Sequence, residues 1–522
     1  MPPRAAAPPP KQSPAPVVRG AAGKQVELDV RGRPKQTIPA AKPSTPVTIG
    51  LPSKLTVEFI GTFLLAFTVA IVVPKSPSNA ALAIGSTLMC AIYAGGHVSG
   101  ANYNPAVSLA IFVRGKLSFV ELLSYTTIQL IAGFSAGLAA MAFVPSIGYP
   151  AAATGAGYGA LTVEIVLTFA LCHTVLHVAT TTAQANNSYY GLAIGFTVLS
   201  GAISVGGVSG GAFNPAVGCL ALAQSTSMSA LVADPMGALS GLVELFLSDA
   251  WVYAAGPMAG GLLAGVLFRV TSPAESADPA GAPLRSLREG LAPFLIEIVG
   301  TYLLCFTVAT AASPNNGSNL APLSIGSMLM AQVYAGGATS GANYNPAVTL
   351  GVYFRRAFAP WETPNAFPMG KALGYVVVQA LAAAAAAATV LFGTSVVPGY
   401  PSPTTSVPLL AVPIEAVGTF FLVTVVLQTA TSVKTKGNSF YGLAIGFTVV
   451  AMACTLGPLS GGAFNPAVGV LGLTAASDVA ALLTSYEWVY AAGPLLGGLI
   501  AALLYRLVMV DEFVAPMSRS MV

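Results

Sequence analysis

The sequence predicts an all-α membrane protein made of two consecutive six-span units, and three observations carry the prediction. The first is composition. Of 522 residues, 55% are hydrophobic and only 8% are charged, whereas about a quarter of the residues in soluble domains are charged. The second is the recurrence of long apolar stretches near the ~20 residues that a membrane-crossing helix needs. The third is a short motif that occurs four times. It reads SGANYNPAV at Ser99–Val107 and Ser340–Val348, and SGGAFNPAVG at Ser209–Gly218 and Ser460–Gly469.

Each motif starts a helix. Asn is a favoured N-cap, and Pro suits the first helical position because its missing N–H would have gone unpaired there. The apolar runs that follow extend over 105–113, 215–224, 346–354 and 466–474. Ten residues at 1.5 Å each reach ~15 Å, about half the hydrocarbon thickness. One such helix cannot cross a membrane, but two entering from opposite faces can meet tip to tip. Copies one and three match, as do two and four, so the chain is two large units, each built from two related halves.

In chain order, residues 1–50 are basic and Pro-rich without apolar periodicity and read as a disordered cytosolic tail near anionic lipid, in preference to an organelle-targeting segment. Unit one, 51–269, has spans near 55–73, 80–97, 119–143, 160–180, 190–207 and 250–269. A Pro-, Ala-, Ser- and Gly-rich linker, 270–290, leads to unit two, 291–509, and a short tail, 510–522, follows. The second set of spans lies near 291–312, 321–337, 369–392, 409–431, 441–457 and 487–509. Twelve crossings place both termini and the linker on one side, which the positive-inside rule makes cytosolic, with Lys75 the one cation left outside. Three crossings per half make the halves of a unit inverted repeats. YGLAIGFTV at Tyr190–Val198 and Tyr441–Val449, and WVYAAGP at Trp251–Pro257 and Trp488–Pro494, repeat the duplication. Trp251, Tyr253, Trp488 and Tyr490 read as interfacial aromatics, and residues 223–249 as an enlarged outer loop.

This pattern resembles the aquaporin (major intrinsic protein) family, as a tandem fusion of two complete members with four Asn-Pro-Ala motifs. The resemblance implies two aquaporin-like bundles, each of six transmembrane helices plus two re-entrant half-helices, with a pore through each. Asn104, Pro105 and Ala106 would face Asn214, Pro215 and Ala216. Asn345, Pro346 and Ala347 would likewise face Asn465, Pro466 and Ala467. Two half-helix N-termini, each with roughly half a positive charge, would then point at the middle of one passage, their Asn amides donating to a passing oxygen. Glu58, Glu164, Glu297 and Glu415 stand at a near-constant distance ahead of the four Asn. They match the family's buried Glu, which accepts hydrogen bonds from the re-entrant loop backbone, a scaffold role. Family members usually form tetramers, so the fused chain would form a homodimer with four pores.

The expected filter departs from the family. Most members place an Arg after the second Asn-Pro-Ala, where this chain has Val217 and Val468. Counting from the motifs puts the remaining constriction positions at Ile84, Ala202 and Gly211, and at Ile325, Ala453 and Gly462. Small apolar side chains imply a wide opening, and the shared residue types imply one selectivity for both pores. The expectation is a passive channel for water and small neutral solutes. The alternatives are a non-conducting structural or adhesive protein and, since the Arg is missing, an ion-permeable variant.

No nucleophile–base pair or metal-ligand set points to an enzyme, a cofactor or nucleic acid. His97 falls in the first re-entrant loop. His173 and His177, four apart, read as packing or interhelical hydrogen bonds, with Leu422 and Val426 taken as their counterparts. The five Cys lie in apolar segments, and their odd count opposes a disulfide framework.

Overall fold

A computed structural model describes residues 49–144, 146–153, 157–225, 249–275, 282–316, 318–357, 367–394, 396–403, 408–475 and 488–513, and two short strands near the N-terminus. The strands, β1 (Val17–Arg19) and β2 (Gln25–Glu27), pair antiparallel. The rest of the tail read as disordered, up to residue 48, and residues 226–248 of the outer loop read as 223–249 lie outside the described residues.

Residues from Leu51 onward form one compact unit. The first bundle runs α1 (Leu51–Lys75), α2 (Ala80–Ser99), the half-helix α3 (Pro105–Arg114) and α4 (Phe119–Ala140). It continues through α5 (Gly157–Thr180), α6 (Tyr190–Ser209), the half-helix α7 (Pro215–Ser225) and α8 (Val252–Thr271). The second repeats this order with α9 (Ala282–Ala311), α10 (Ala321–Gly336), the half-helix α11 (Pro346–Ala357) and α12 (Met369–Gly393). It ends with α13 (Ala411–Val426), α14 (Tyr441–Ser460), the half-helix α15 (Pro466–Ala475) and α16 (Val489–Val508). A π-turn, Leu427–Thr431, extends α13.

Eleven of these helices are long and apolar enough to cross a membrane. The twelfth, α10, has 16 residues, but backbone bonds such as Ser340 N–H to Gly336 O and Gly341 N–H to Gly337 O carry its turns on to the third motif. The linker is shorter than its composition suggests, because α8 runs to Thr271 and α9 starts at Ala282.

Local chemistry sets the ends. The Asn104 side chain caps α3 by accepting from Ala106 N–H at 2.9 Å, and Gly115 ends it at φ 90°. Ser118 and Glu121 form a reciprocal capping box at the start of α4. Within each bundle the two three-span halves interlock: α5 packs on α8, α1 on α4 and α2 on α6, while α3 rests on α8 and α7 on α4. The second bundle repeats these pairings. Glycine allows the tightest crossings: a Cβ on Gly61 or Gly95 would drive into the Tyr103 ring, and one on Gly300 or Gly336 into the Tyr344 ring.

The bundles join along a seam in which α5 and α6 of the first meet α9 and α10 of the second. Ser200 and Ser324 exchange hydroxyl-to-carbonyl bonds of 2.9 and 2.8 Å. The Gln332 amide donates to the Thr174 hydroxyl at 3.3 Å, and Tyr189 stacks on Tyr334 with ring centroids 4.0 Å apart.

Candidate pore sites

At the centre of the first bundle the two half-helices meet. The Asn104 amide donates to the Phe213 carbonyl at 2.8 Å, and the Asn214 amide to the Tyr103 carbonyl at 2.9 Å. Each carbonyl belongs to the residue just ahead of the opposing Asn, so the tips are tied reciprocally. Tyr103 and Phe213 are held at φ 52° and 50°, a conformation unusual for bulky side chains that persists only where surroundings over-determine it. The surroundings here are carboxylates. Glu58 accepts from Asn102 N–H at 2.9 Å, Tyr103 N–H at 2.7 Å and the Ser99 hydroxyl at 2.6 Å. Glu164 does the same for Ala212 N–H, Phe213 N–H and the Ser209 hydroxyl at 2.9, 2.7 and 2.7 Å.

The second bundle reproduces the arrangement. Asn345 donates to Phe464 O and Asn465 to Tyr344 O, both at 2.9 Å. Tyr344 and Phe464 have φ 51° and 49°. Glu297 takes Asn343 and Tyr344 N–H, and Glu415 takes Ala463 and Phe464 N–H. Each Asn amide has two N–H groups. The fold commits one to the opposing loop, which leaves one for anything in the cavity.

A cavity of ≈ 470 Å³ runs past Asn104 and Asn214, and its wall includes Ile84, Ala202, Gly211 and Val217. A second, of ≈ 280 Å³, passes Asn345 and Asn465 and is walled by Ile325, Ala453, Gly462 and Val468. All eight positions counted from the motifs therefore face these cavities. Pro105, Ala106, Pro215, Ala216, Pro346, Ala347, Pro466 and Ala467 instead form the first turns behind them. The volumes differ despite identical residue types at the four positions. Asn316, Ser318 and Leu320, from the second bundle, wall the end of the first cavity, and Pro458 stands in the second where Gly207 stands in the first.

Several supports escaped the sequence reading. Gln129 donates to Glu58 and Gln379 to Glu297, at 2.8 and 2.9 Å. Four tyrosine hydroxyls tie down the approach to each motif: Tyr125 to Ser99 O, Tyr253 to Ser209 O, Tyr375 to Ser340 O and Tyr490 to Ser460 O. Tyr253 and Tyr490 are thus buried anchors and not interfacial aromatics; Trp251 and Trp488 beside them are exposed. The matched Tyr–Gln spacing in α4 and α12 was a readable signal. The tyrosines as a set were not, because they stand at different distances from their motifs.

At the far ends of α3 and α11, Arg114 pairs with Glu275 at 3.0 Å and Arg355 with Glu512 at 2.9 Å. Burial pushes both carboxyl groups up, but hydrogen bonds from Thr182 and Arg114, and from Ser432, Tyr505 and Arg355, outweigh it. Both end below the ordinary Glu value.

His97 belongs to the last turn of α2, not to the loop, and is exposed. His173 and His177 are buried with ring centroids 4.5 Å apart; Phe169 stacks on His173, and Phe268 meets His177 edge-on. Both ring nitrogens of His173 and Nε2 of His177 lack a hydrogen-bond partner among the described residues, and the contacts seen for the two rings are aromatic packing. Counting from Glu164 and Glu415 makes Thr424 and Gln428 their counterparts; Leu422 and Val426 match Leu171 and Val175. Cys172 and Cys305 are buried filler, but Cys90 and Cys454 are exposed, and all five are free. No cluster of three or more metal-ligand side chains occurs among the described residues.

The model of the family described as Major intrinsic protein matches residues 47–268, 265–357 and 327–505. Aquaporin NIP1-1 of Zea mays is 34% identical over 224 residues, 41% of this chain and 73% of that protein. Glycerol uptake facilitator protein-like 6 of Lactiplantibacillus plantarum is 31% identical over 42% of this chain and 97% of its own length. A probable aquaporin TIP-type from Medicago truncatula is 30% identical over 41% and 84%. Among solved structures, the aquaglyceroporin from Plasmodium falciparum aligns with 20% identity and a TM-score of 0.37, over 43% of this chain and 99% of that one. Each relative corresponds to less than half of the chain, and the family match continues through both halves: the protein belongs to the major intrinsic protein family.

Proposed function

We propose that each bundle is a passive pore for water and small neutral solutes, giving two pores per chain, and that two chains close into a ring of four. The observation that carries the reading is the repeated pair of half-helix tips, each pair tied across its bundle and facing a cavity. Their N-terminal dipoles oppose cations at the midpoint, and the uncommitted amide N–H groups can orient a water or hydroxyl oxygen. Ile84, Ala202, Gly211 and Val217, with Ile325, Ala453, Gly462 and Val468, serve as the filters. The absence of a fixed Arg charge leaves them wide and apolar. A relative named as a glycerol uptake facilitator supports solutes larger than water. The side carrying the α1–α2 connection is taken as outer and the termini and linker as cytosolic, from the distribution of Lys and Arg.

The test is osmotic swelling of proteoliposomes with a size series of neutral solutes, beside Val217→Arg plus Val468→Arg. Wild-type vesicles are expected to admit glycerol and urea, and the double variant to restrict flux to water. Vesicles that exclude glycerol and urea, or a double variant with an unaltered solute range, would overturn the filter assignment.

A further inference from the structure

The two pores have the same filter residues, yet their outer mouths are built differently. In the first, the second bundle lends a wall: the connection between α9 and α10 crosses the seam and lies on the end of α6. There the Asn316 amide donates to the carbonyls of Ile203 at 3.1 Å and Ser204 at 3.2 Å, next to the filter position Ala202. Asn316, Ser318 and Leu320 then line the cavity. Among the described residues, no connection from another bundle lies on the corresponding turn of α14. Cys454 and Thr455, the counterparts of Ile203 and Ser204, are exposed.

The face that would cover it also exists on this chain. In the first bundle α1 and α2 are the counterparts of α9 and α10, and they present Ile60, Leu64, Leu82 and Tyr93 outward. Lys75, the last residue of α1, leads into their connection and is exposed, with no ion pair among the described residues. This connection is two residues shorter than the one carrying Asn316. Where the seam is marked by Ser200, Ser324, Thr174 and Gln332, the two free faces have Ala451, Ala83, Val425 and Ala91. The free faces are therefore apolar on both sides, at positions that the duplication relates to the two sides of the seam. Neither can satisfy a seam residue's polar groups. One two-fold axis brings both free faces of one chain onto those of another, so that the contact closes with nothing left over.

We infer that the outer mouth of the second pore is completed by a second copy of this chain, whose α1–α2 connection places Lys75 where Asn316 stands in the first pore. This rests on the reading of the bundles as pores. The consequence is a division between them. Among the described residues, the wall of the first cavity includes Pro77 and Ser78, just past Lys75, but no charged side chain, whereas the second mouth would hold a fixed positive charge lent by the neighbour, at the end of a filter where Val468 has replaced the usual cation. A cation at a narrow mouth repels cations and concentrates anions. It also accounts for the one Lys that breaks the positive-inside pattern.

Two measurements on the full-length chain test this. In membranes, Lys75→Cys with Cys90→Ser is treated with a short bismaleimide. The expected product has twice the chain's mass and disappears when Cys454→Ser is added. No doubled product, or one that survives Cys454→Ser, overturns the placement, and this readout is independent of any flux. In proteoliposomes, one pore is closed at a time with Val217→Trp or Val468→Trp, and permeation of a small organic cation is compared with that of glycerol. Lys75→Glu is expected to raise the cation-to-glycerol ratio about threefold in the Val217→Trp chain, which keeps the second pore, and to leave it unchanged in the Val468→Trp chain. A change in the first pore, or in neither, overturns the charge assignment. Absence of all solute flux, with the cross-link intact, would instead sink the channel reading.

Discussion

The helices α6 and α14 are duplicates that share their first nine residues, and they have opposite environments. Of the apolar window of α6, 67% is buried, against 17% for α14. The pair α1–α2 and α9–α10 shows the same contrast: 28% of the Pro77–Ser99 window is buried, while Gly326–Gly336 of α10 is buried without interruption. Duplicated elements therefore divide into those that meet inside the chain and those that do not. Side chains have followed: polar pairs mark the inner contact, while alanine and valine occupy the same positions on the free faces. Burial inside a membrane protein gains little from apolar contact alone, since lipid is equally apolar. Reciprocal hydrogen bonds such as Ser200 to Ser324 give the seam a register that two smooth faces lack.

That contrast can be broken or sharpened by substitution. The largest effect is expected from Glu164→Ala and Glu415→Ala, each of which strands two buried N–H groups and releases a left-handed Phe. At 1–3 kcal/mol for each orphaned donor, the cost is about 2 kcal/mol or more. Both variants should lower the unfolding midpoint in detergent, Glu415→Ala by more, because α13 and α14 have no seam beside them. Equal shifts would mean that the seam does not support the first bundle. Next comes Ser324→Leu against its twin Ala83→Leu. Overpacking the seam should cost about 1–3 kcal/mol within one chain. Ala83→Leu should leave the single chain within about 0.5 kcal/mol of wild type while reducing the dimer fraction seen by light scattering. If both destabilise the single chain alike, the two faces are not different in kind.

The smallest effect concerns pH. Glu275 and Glu512 titrate below the ordinary Glu value in the folded protein. Their contribution is therefore complete above that ordinary value and is lost as pH falls through the lower folded values. A thermal-melt series from pH 6 to pH 3 should show a fall that flattens in Glu275→Gln plus Glu512→Gln. A profile identical to wild type would remove these pairs from the stability of the C-terminal ends of α3 and α11.

Much of the centre was legible because its signals are local. Asn-Pro-Ala fixes a capped helix start by the geometry of two residues, and four copies in alternating pairs reveal the inversion. The four Glu could be found by their near-constant spacing. The supports that were missed are contacts between distant segments: Gln129 reaching Glu58, the tyrosine hydroxyls holding each approach, and Arg114 meeting Glu275. Spacing does not encode these, because intervening loops differ in length while the partners still meet in space.

By itself, the sequence determined the number of units, their inversion, the half-helix starts and the identity of every side chain at the positions counted from the motifs to face the cavities. These follow from periodicity, capping and repetition, which act over a few residues. Only the tertiary structure decided which duplicated face is inner and which is free, how much room each cavity has, and that Asn316 of one bundle walls the mouth of the other. Those outcomes depend on which of several chemically similar surfaces pack together, and that choice is made by the whole set of contacts at once.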